Sequence, residues 1–160
     1  VEFSVYPLFA PQSLIAEGTA NFGIEVAFPG DARTAFEREQ LYPLAGLDPA
    51  GAEKYAAIQR LVAKLSYAGN EAARQYLDGK IDRAAAAAWL QQWGMMPKDR
   101  AEQRTRFIDQ YRSYVINYNL GQDLTRAYIE QRGGTVDHPD VRWKLFGELL
   151  SSPRMPSGLK

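Results

Sequence analysis

The sequence predicts an all-α protein, a bundle of about five or six helices with short connections. Three observations carry that expectation. Apolar residues recur at spacings of three and four along almost every segment, and the only extended-looking stretch is the opening "FSVYPLF". Helix breakers stand between those segments, as at Pro29-Gly30, Asp78-Gly79 and Gly133-Gly134. The intervals between segments are short, which favours antiparallel neighbours in one helical domain over residues 1–160.

Taken in order, a first helix fits Pro11 or Gln12 to Phe28, and a second runs from Asp31 to about Tyr42. Asp48 as N-cap and Pro49 at the first helical position open a long helix that continues to Asp78-Gly79. Asp82 caps the alanine-rich "RAAAAAWLQQWG", whose alanines are the best helix formers, and Trp89 and Trp93 are assigned to the core. The longest helix spans about Lys98 to Gln131. A last one covers roughly Pro139 to Leu150 and stops at "SSPRMPSGLK". No internal repeat or domain boundary stands out.

Composition removes several function classes. With 46% hydrophobic and 12% aromatic residues the chain can bury a core. Nineteen basic against nineteen acidic residues, with no basic stripe, disfavour nucleic acid and anionic membranes as partners. No apolar run approaches the roughly 20 residues that span a bilayer. The absence of cysteine excludes disulfides, thiolate catalysis and cysteine zinc sites, and leaves cytoplasm and periplasm equally open. His138, the single histidine, stands where a helix begins and is assigned to the surface or a cap. One histidine and no cysteine cannot build a His-His-Glu zinc site, a Ser-His-Asp triad or a Cys-His dyad from within. No Gly-rich phosphate loop or calcium loop is present. The opening "VEFSVYPLFAPQ", with no Met in front of it, has the look of a piece of something longer.

Two constellations remain. On a helical wheel, Ile15, Phe22 and Val26 of the first helix share one side, with Leu14, Ile24 and Phe28 opposite. Glu17 and Asn21 project from that second side, while Gly18, Ala20 and Gly23 allow close approach. A helix buried on both sides would carry Glu17 at high cost unless a cation or several donors met it. The structural alternative is a core Glu paired with an arginine or a tyrosine hydroxyl. In the longest helix, Phe107, Tyr111, Tyr114, Tyr118, Gly121, Thr125 and Tyr128 form one stripe at alternating spacings of four and three. That stripe is either core or one wall of a polar cleft. Arg112 and Arg126 flank it and have the fork geometry that grips a carboxylate with two prongs.

Together "SLIAEGTANFGIEVAFP", "SYVINYNLGQDLTRAYIE" and "WKLFGELLSSPRMPSGL" resemble the C-terminal half of bacterial gluzincin-type zinc metallopeptidase-like proteins of largely unknown function, distantly similar to Taq-type carboxypeptidases. The resemblance covers nearly the whole chain. In that superfamily an H-E-x-x-H helix supplies two zinc-binding histidines and the general-base Glu, and a downstream helix supplies the third ligand. By position the resemblance makes Glu17 that third metal ligand, with Gly18 and Ala20 as the small residues packing its helix beside the H-E-x-x-H helix. It makes Tyr114 and Tyr118 catalytic candidates as oxyanion donors, and Arg112 a holder of the substrate carboxylate.

H-E-x-x-H is absent from residues 1–160 and is expected just before Val1, about 20 residues ahead of Glu17. The resemblance therefore implies a C-terminal helical portion of a zinc-dependent peptidase that contributes one ligand and a cleft wall and is inactive by itself. Zinc belongs to the parent protein, with none expected on the isolated chain. The implied partners are the missing N-terminal half, a peptide substrate, and a second copy through the face of Leu14, Glu17, Asn21 and Ile24. The same residues also suit a non-catalytic helical interaction or structural module, in which Glu17 pairs with an arginine and the tyrosines are core.

Overall fold

A computed structural model describes residues 7–152 and 154–159. Of the stretch 3–9 expected to be extended, residues 3–6 lie outside them, and residues 7–9 enter a turn in which the Ala10 amide donates to the Pro7 carbonyl at 3.0 Å. The chain is all-α, 77% helical, with no strand among the described residues. Its elements are α1 (Gln12–Ala27), α2 (Ala32–Phe36), a π turn (Glu37–Leu41), α3 (Tyr42–Leu44), a 3-10 turn (Pro49–Gly51), α4 (Ala52–Lys64) and α5 (Ser66–Leu77). They continue with α6 (Arg83–Trp93), α7 (Lys98–Tyr111), a 3-10 stretch (Arg112–Asn117), α8 (Asn119–Glu130), α9 (Pro139–Ser151) and a 3-10 turn (Pro156–Leu159). With α4 and α5 taken as one interrupted helix, six helices of three turns or more appear among the described residues.

Two compact units divide the chain. The first joins the residues up to Glu53 with those from Asn117 onward, and the second is Lys54–Ile116. In the first unit α1 packs against α8 and α9. Ile15, Phe22 and Val26 meet Tyr128, Ile129, Phe146 and Leu149 there, and Leu159 of the last turn closes the cluster. Phe22 is fully buried, which contributes roughly 1.5–3 kcal/mol relative to exposure. Arg142 is buried in the same unit at 3% exposure, its guanidinium 4.9 Å from the centre of the Phe22 ring. Its Nε and Nη1 have no hydrogen-bond partner.

The second unit builds its core from small residues. Ala72, Ala87 and Ala101 surround Leu90, and Ala73 meets Ile108 and Val115. Ala86 and Ala87 of the alanine run are buried, so that run brings α6 close to its neighbours as well as favouring helix. Asp82 caps α6 by accepting from the Ala85 amide at 2.8 Å, and Asp48 accepts from the Ala50 amide at 2.9 Å, as the sequence predicts. Trp89 is half-buried with its indole N–H on the Ala68 carbonyl at 3.1 Å, but Trp93 is 51% exposed, against the core assignment.

Two long helices expected from periodicity are interrupted. The one opened by Asp48 breaks at Leu65, where the Leu65 amide donates to Val62 and the Ala68 amide donates to Leu65, the tight i to i+3 pattern of a 3-10 turn. The one expected over 98–131 stops at Tyr111, because Arg112 takes φ 53° and ψ −130°, outside the α-helical region.

Candidate functional site

The place of Glu17 is set by its neighbour. Gly18 lies so close to Gly121 of α8 that a Cβ on either would meet main-chain atoms of the other helix, which explains why both positions lack a side chain. Ala20, which the resemblance places beside an H-E-x-x-H helix outside residues 1–160, is exposed. Glu17 is half-buried rather than sealed, and Ile24 on the same side is 45% exposed. Thus α1 buries one face, that of Ile15, Phe22 and Val26, and not two. The desolvation argument for an obligatory cation at Glu17 weakens accordingly.

Four residues on from Glu17, the Asn21 side-chain amide donates to the Tyr118 carbonyl at 3.1 Å. Tyr118 is half-buried and immediately precedes α8. Another four residues along α1, Glu25 accepts from Gln122 Nε2 at 2.7 Å and from Arg126 Nη2 and Nε. Arg126 also donates through Nη1 to Asp123 at 2.8 Å. The hydrogen bond to Glu25, opposed by partial burial, holds the Arg126 guanidinium above its ordinary pKa. Glu17, Asn21 and Glu25 thus form a row at spacings of four on α1, and the last two of them meet a row of Tyr118, Gln122 and Arg126 at the same spacing. The two-pronged grip on a carboxylate expected of Arg126 exists, but its carboxylate is Glu25 of the same unit. Sequence reasoning misses Glu25, although its spacing from Glu17 and Asn21 is visible there.

Arg112 and Tyr114 belong to the second unit, and Glu17 and Tyr118 to the first. Arg112 is exposed, and Tyr114 is buried with its ring 6.1 Å from that of Tyr111, which lies 4.4 Å from Phe107. The stripe that periodicity draws as one face is therefore parted. Phe107, Tyr111 and Tyr114 line the second unit, while Tyr118, Gly121, Thr125 and Tyr128 belong to the first.

Compared with protein-family models, curated proteins and solved structures, the chain matches none. Its function rests on its own residues. Among the described residues no group of three His, Cys, Asp or Glu is placed to hold a metal ion. No helix among them is long and apolar enough to cross a membrane.

Proposed function

We propose that residues 1–160 are a helical portion of a zinc-dependent peptidase, supplying Glu17 as one metal ligand and Tyr118 as a hydrogen-bond donor beside it. The supporting observation is the Asn21–Tyr118 hydrogen bond, which ties the face of α1 bearing Glu17 to the residue that opens α8. In such peptidases zinc polarises the scissile carbonyl and activates water. The donors of this chain do not fit a zinc site by themselves, since three protein ligands are needed and no such group is present among the described residues. The other ligands, an H-E-x-x-H pair, would come from outside residues 1–160. Tyr114 and Arg112 keep the substrate-facing roles that the resemblance gives them only as part of this proposal.

The test is Glu17→Gln in a protein carrying both segments, read by zinc analysis and by melting with and without chelator. Loss of zinc with an unchanged or raised melting point of the metal-free form supports the ligand role. Unaltered zinc with a loss of roughly 3–5 kcal/mol in the metal-free form identifies a structural ion pair and overturns it.

A second reading, a non-catalytic interaction module, is favoured by one observation. Tyr55, Ile58, Leu61 and Val62 of α4 are between 46% and 63% exposed and share one face at spacings of three and four. Binding of a partner protein by a form that retains no zinc would favour this reading.

A further inference from the structure

Between the turn that leaves α6 and one face of α7 lies a cavity of about 300 Å³, lined by Met96, Arg100, Gln103, Arg104 and Phe107. All five residues belong to the second unit. Arg100, Gln103, Arg104 and Phe107 recur at spacings of three and four, which gathers them on one face of α7. This lining carries two guanidinium groups and no carboxylate. Asp109 of the same helix is engaged elsewhere, where it accepts from the Tyr76 hydroxyl at 2.7 Å and from Arg83.

The charged wall is ordered from within. Arg100 donates through Nη1 to the Gln103 side-chain oxygen at 3.0 Å, whereas Arg74 and Arg83 of the same unit meet the carboxylates of Glu71 and Asp109. An amide orients the Arg100 fork without neutralising it. Arg104 lies with its guanidinium carbon 4.8 Å from the centre of the Phe107 ring, a cation–π contact that fixes the plane of its fork. The apolar wall is placed by the backbone. Met95 takes φ 54°, in the left-handed region that a Cβ opposes, and the turn returns Met96 to α6. There the Met96 amide donates to the Leu90 carbonyl at 3.2 Å, and its side chain packs on the cluster of Ala87 and Leu90. A thioether and a phenyl ring beside two planar cations suit a flat, polarisable body that carries negative charge.

We infer that this cavity binds a small aromatic oxyanion, a single ring bearing a carboxylate or phosphoryl group, with Arg100 and Arg104 on the oxyanion and Met96 and Phe107 against the ring. Guanidinium forks match the oxygen geometry of both groups. The volume, at the lower end for ligand pockets, sets the size at one ring. The site is separate from the zinc proposal, because it uses none of Glu17, Arg112, Tyr114 and Tyr118, and either can fail alone.

Amide shift titrations of the full chain at fixed ionic strength test it with four probes. Benzoate or phenyl phosphate should shift amides within residues 96–107 saturably, and the tighter of the two names the oxyanion. Its affinity should exceed at least about tenfold that of inorganic phosphate, which lacks the ring, and of benzyl alcohol, which lacks the charge. Arg100→Gln should weaken binding at least about fivefold, while Arg106→Gln, on the same helix but outside the cavity, should leave it unchanged. Both positions are exposed, so neither variant removes core packing. No saturable shift with either aromatic anion, equal affinity for inorganic phosphate, shifts centred outside residues 96–107, or equal losses from the two variants would each overturn the site.

Discussion

Gly18 and Gly121 touch main chain to main chain. A Cβ on Gly18 would stand 2.3 Å from the carbonyl carbon and oxygen of Gly121, and one on Gly121 would stand 2.4 Å from the Leu14 carbonyl oxygen. Neither obstacle is a side-chain tip that can swing away, so α1 and α8 would have to separate.

Gly18→Ala or Gly121→Ala should therefore destabilise the protein by about 1–3 kcal/mol or more, as overpacking against a rigid wall does. Gly147→Ala is the control, since a Cβ there meets nothing within 4 Å inside α9 and should gain up to about 1 kcal/mol of helix propensity. Urea midpoints of the three variants decide the matter, and a neutral Gly18→Ala would contradict the close approach.

Arg142 gives a prediction of the opposite sign. Its buried Nε and Nη1 lack partners, and its interaction with Phe22 is one of ring and cation. Arg142→Met keeps much of the volume and removes the desolvated charge. Its stability should equal or exceed that of the wild type, within the range of about 1–4 kcal/mol seen when buried charges give way to packed apolar groups. A fall of more than about 2 kcal/mol by thermal or urea unfolding would show that the guanidinium has a stronger partner than the ring.

Glu71 sets an acid limb. Hydrogen bonds from Arg74 and Gln75 hold its carboxyl at about 2, below the ordinary 4.5. A folded-state value below the unfolded one means that the stabilisation is present above pH 4.5 and is lost as pH falls from there towards 2. Following the Glu71 side-chain carboxyl by NMR should place its midpoint near 2, and Glu71→Gln should flatten the stability profile in that window. A midpoint near 4.5 would show that the contacts with Arg74 do not persist in water.

Asp82 caps α6 through the Ala85 amide. Asp82→Ala should cost about 1 kcal/mol, while Asp82→Asn should retain most of the cap, as compared by thermal melting. Equal losses from both would point to the charge of Asp82 in place of its acceptor geometry.

The helical class and most helix starts are legible in the sequence because these are local decisions: caps at Asp48 and Asp82, breakers at Pro29-Gly30, and Pro139 at the first turn of α9. The buried face of α1 is equally legible from the spacing of Ile15, Phe22 and Val26. What escapes is decided by tertiary context. Periodicity alone cannot show that burying Val115 outweighs the backbone conflict at Arg112, so it draws the tyrosine stripe as one face. Nor can it show how far a side chain is covered, and it gives Glu17 and Trp93 more burial than they have. Glu25 escapes for a simpler reason: an acidic residue on a helix looks solvated until the Arg126 that binds it, 101 residues on, is brought alongside.

That separation has a temporal consequence. Asn21 waits 97 residues for Tyr118, whereas Tyr76 meets Asp109 after only 33. At synthesis rates of about 5–20 residues per second, α1 would leave the ribosome roughly 5–20 s before α8 exists to receive it. During that interval α5, α6 and α7 can close among themselves, since their contacts are local and the loop-closure entropy is small. Within residues 1–160, Ile15, Phe22 and Val26 find their cover in α8, α9 and Leu159, so that face of α1 waits for the end of the chain, which is when a chaperone would find it.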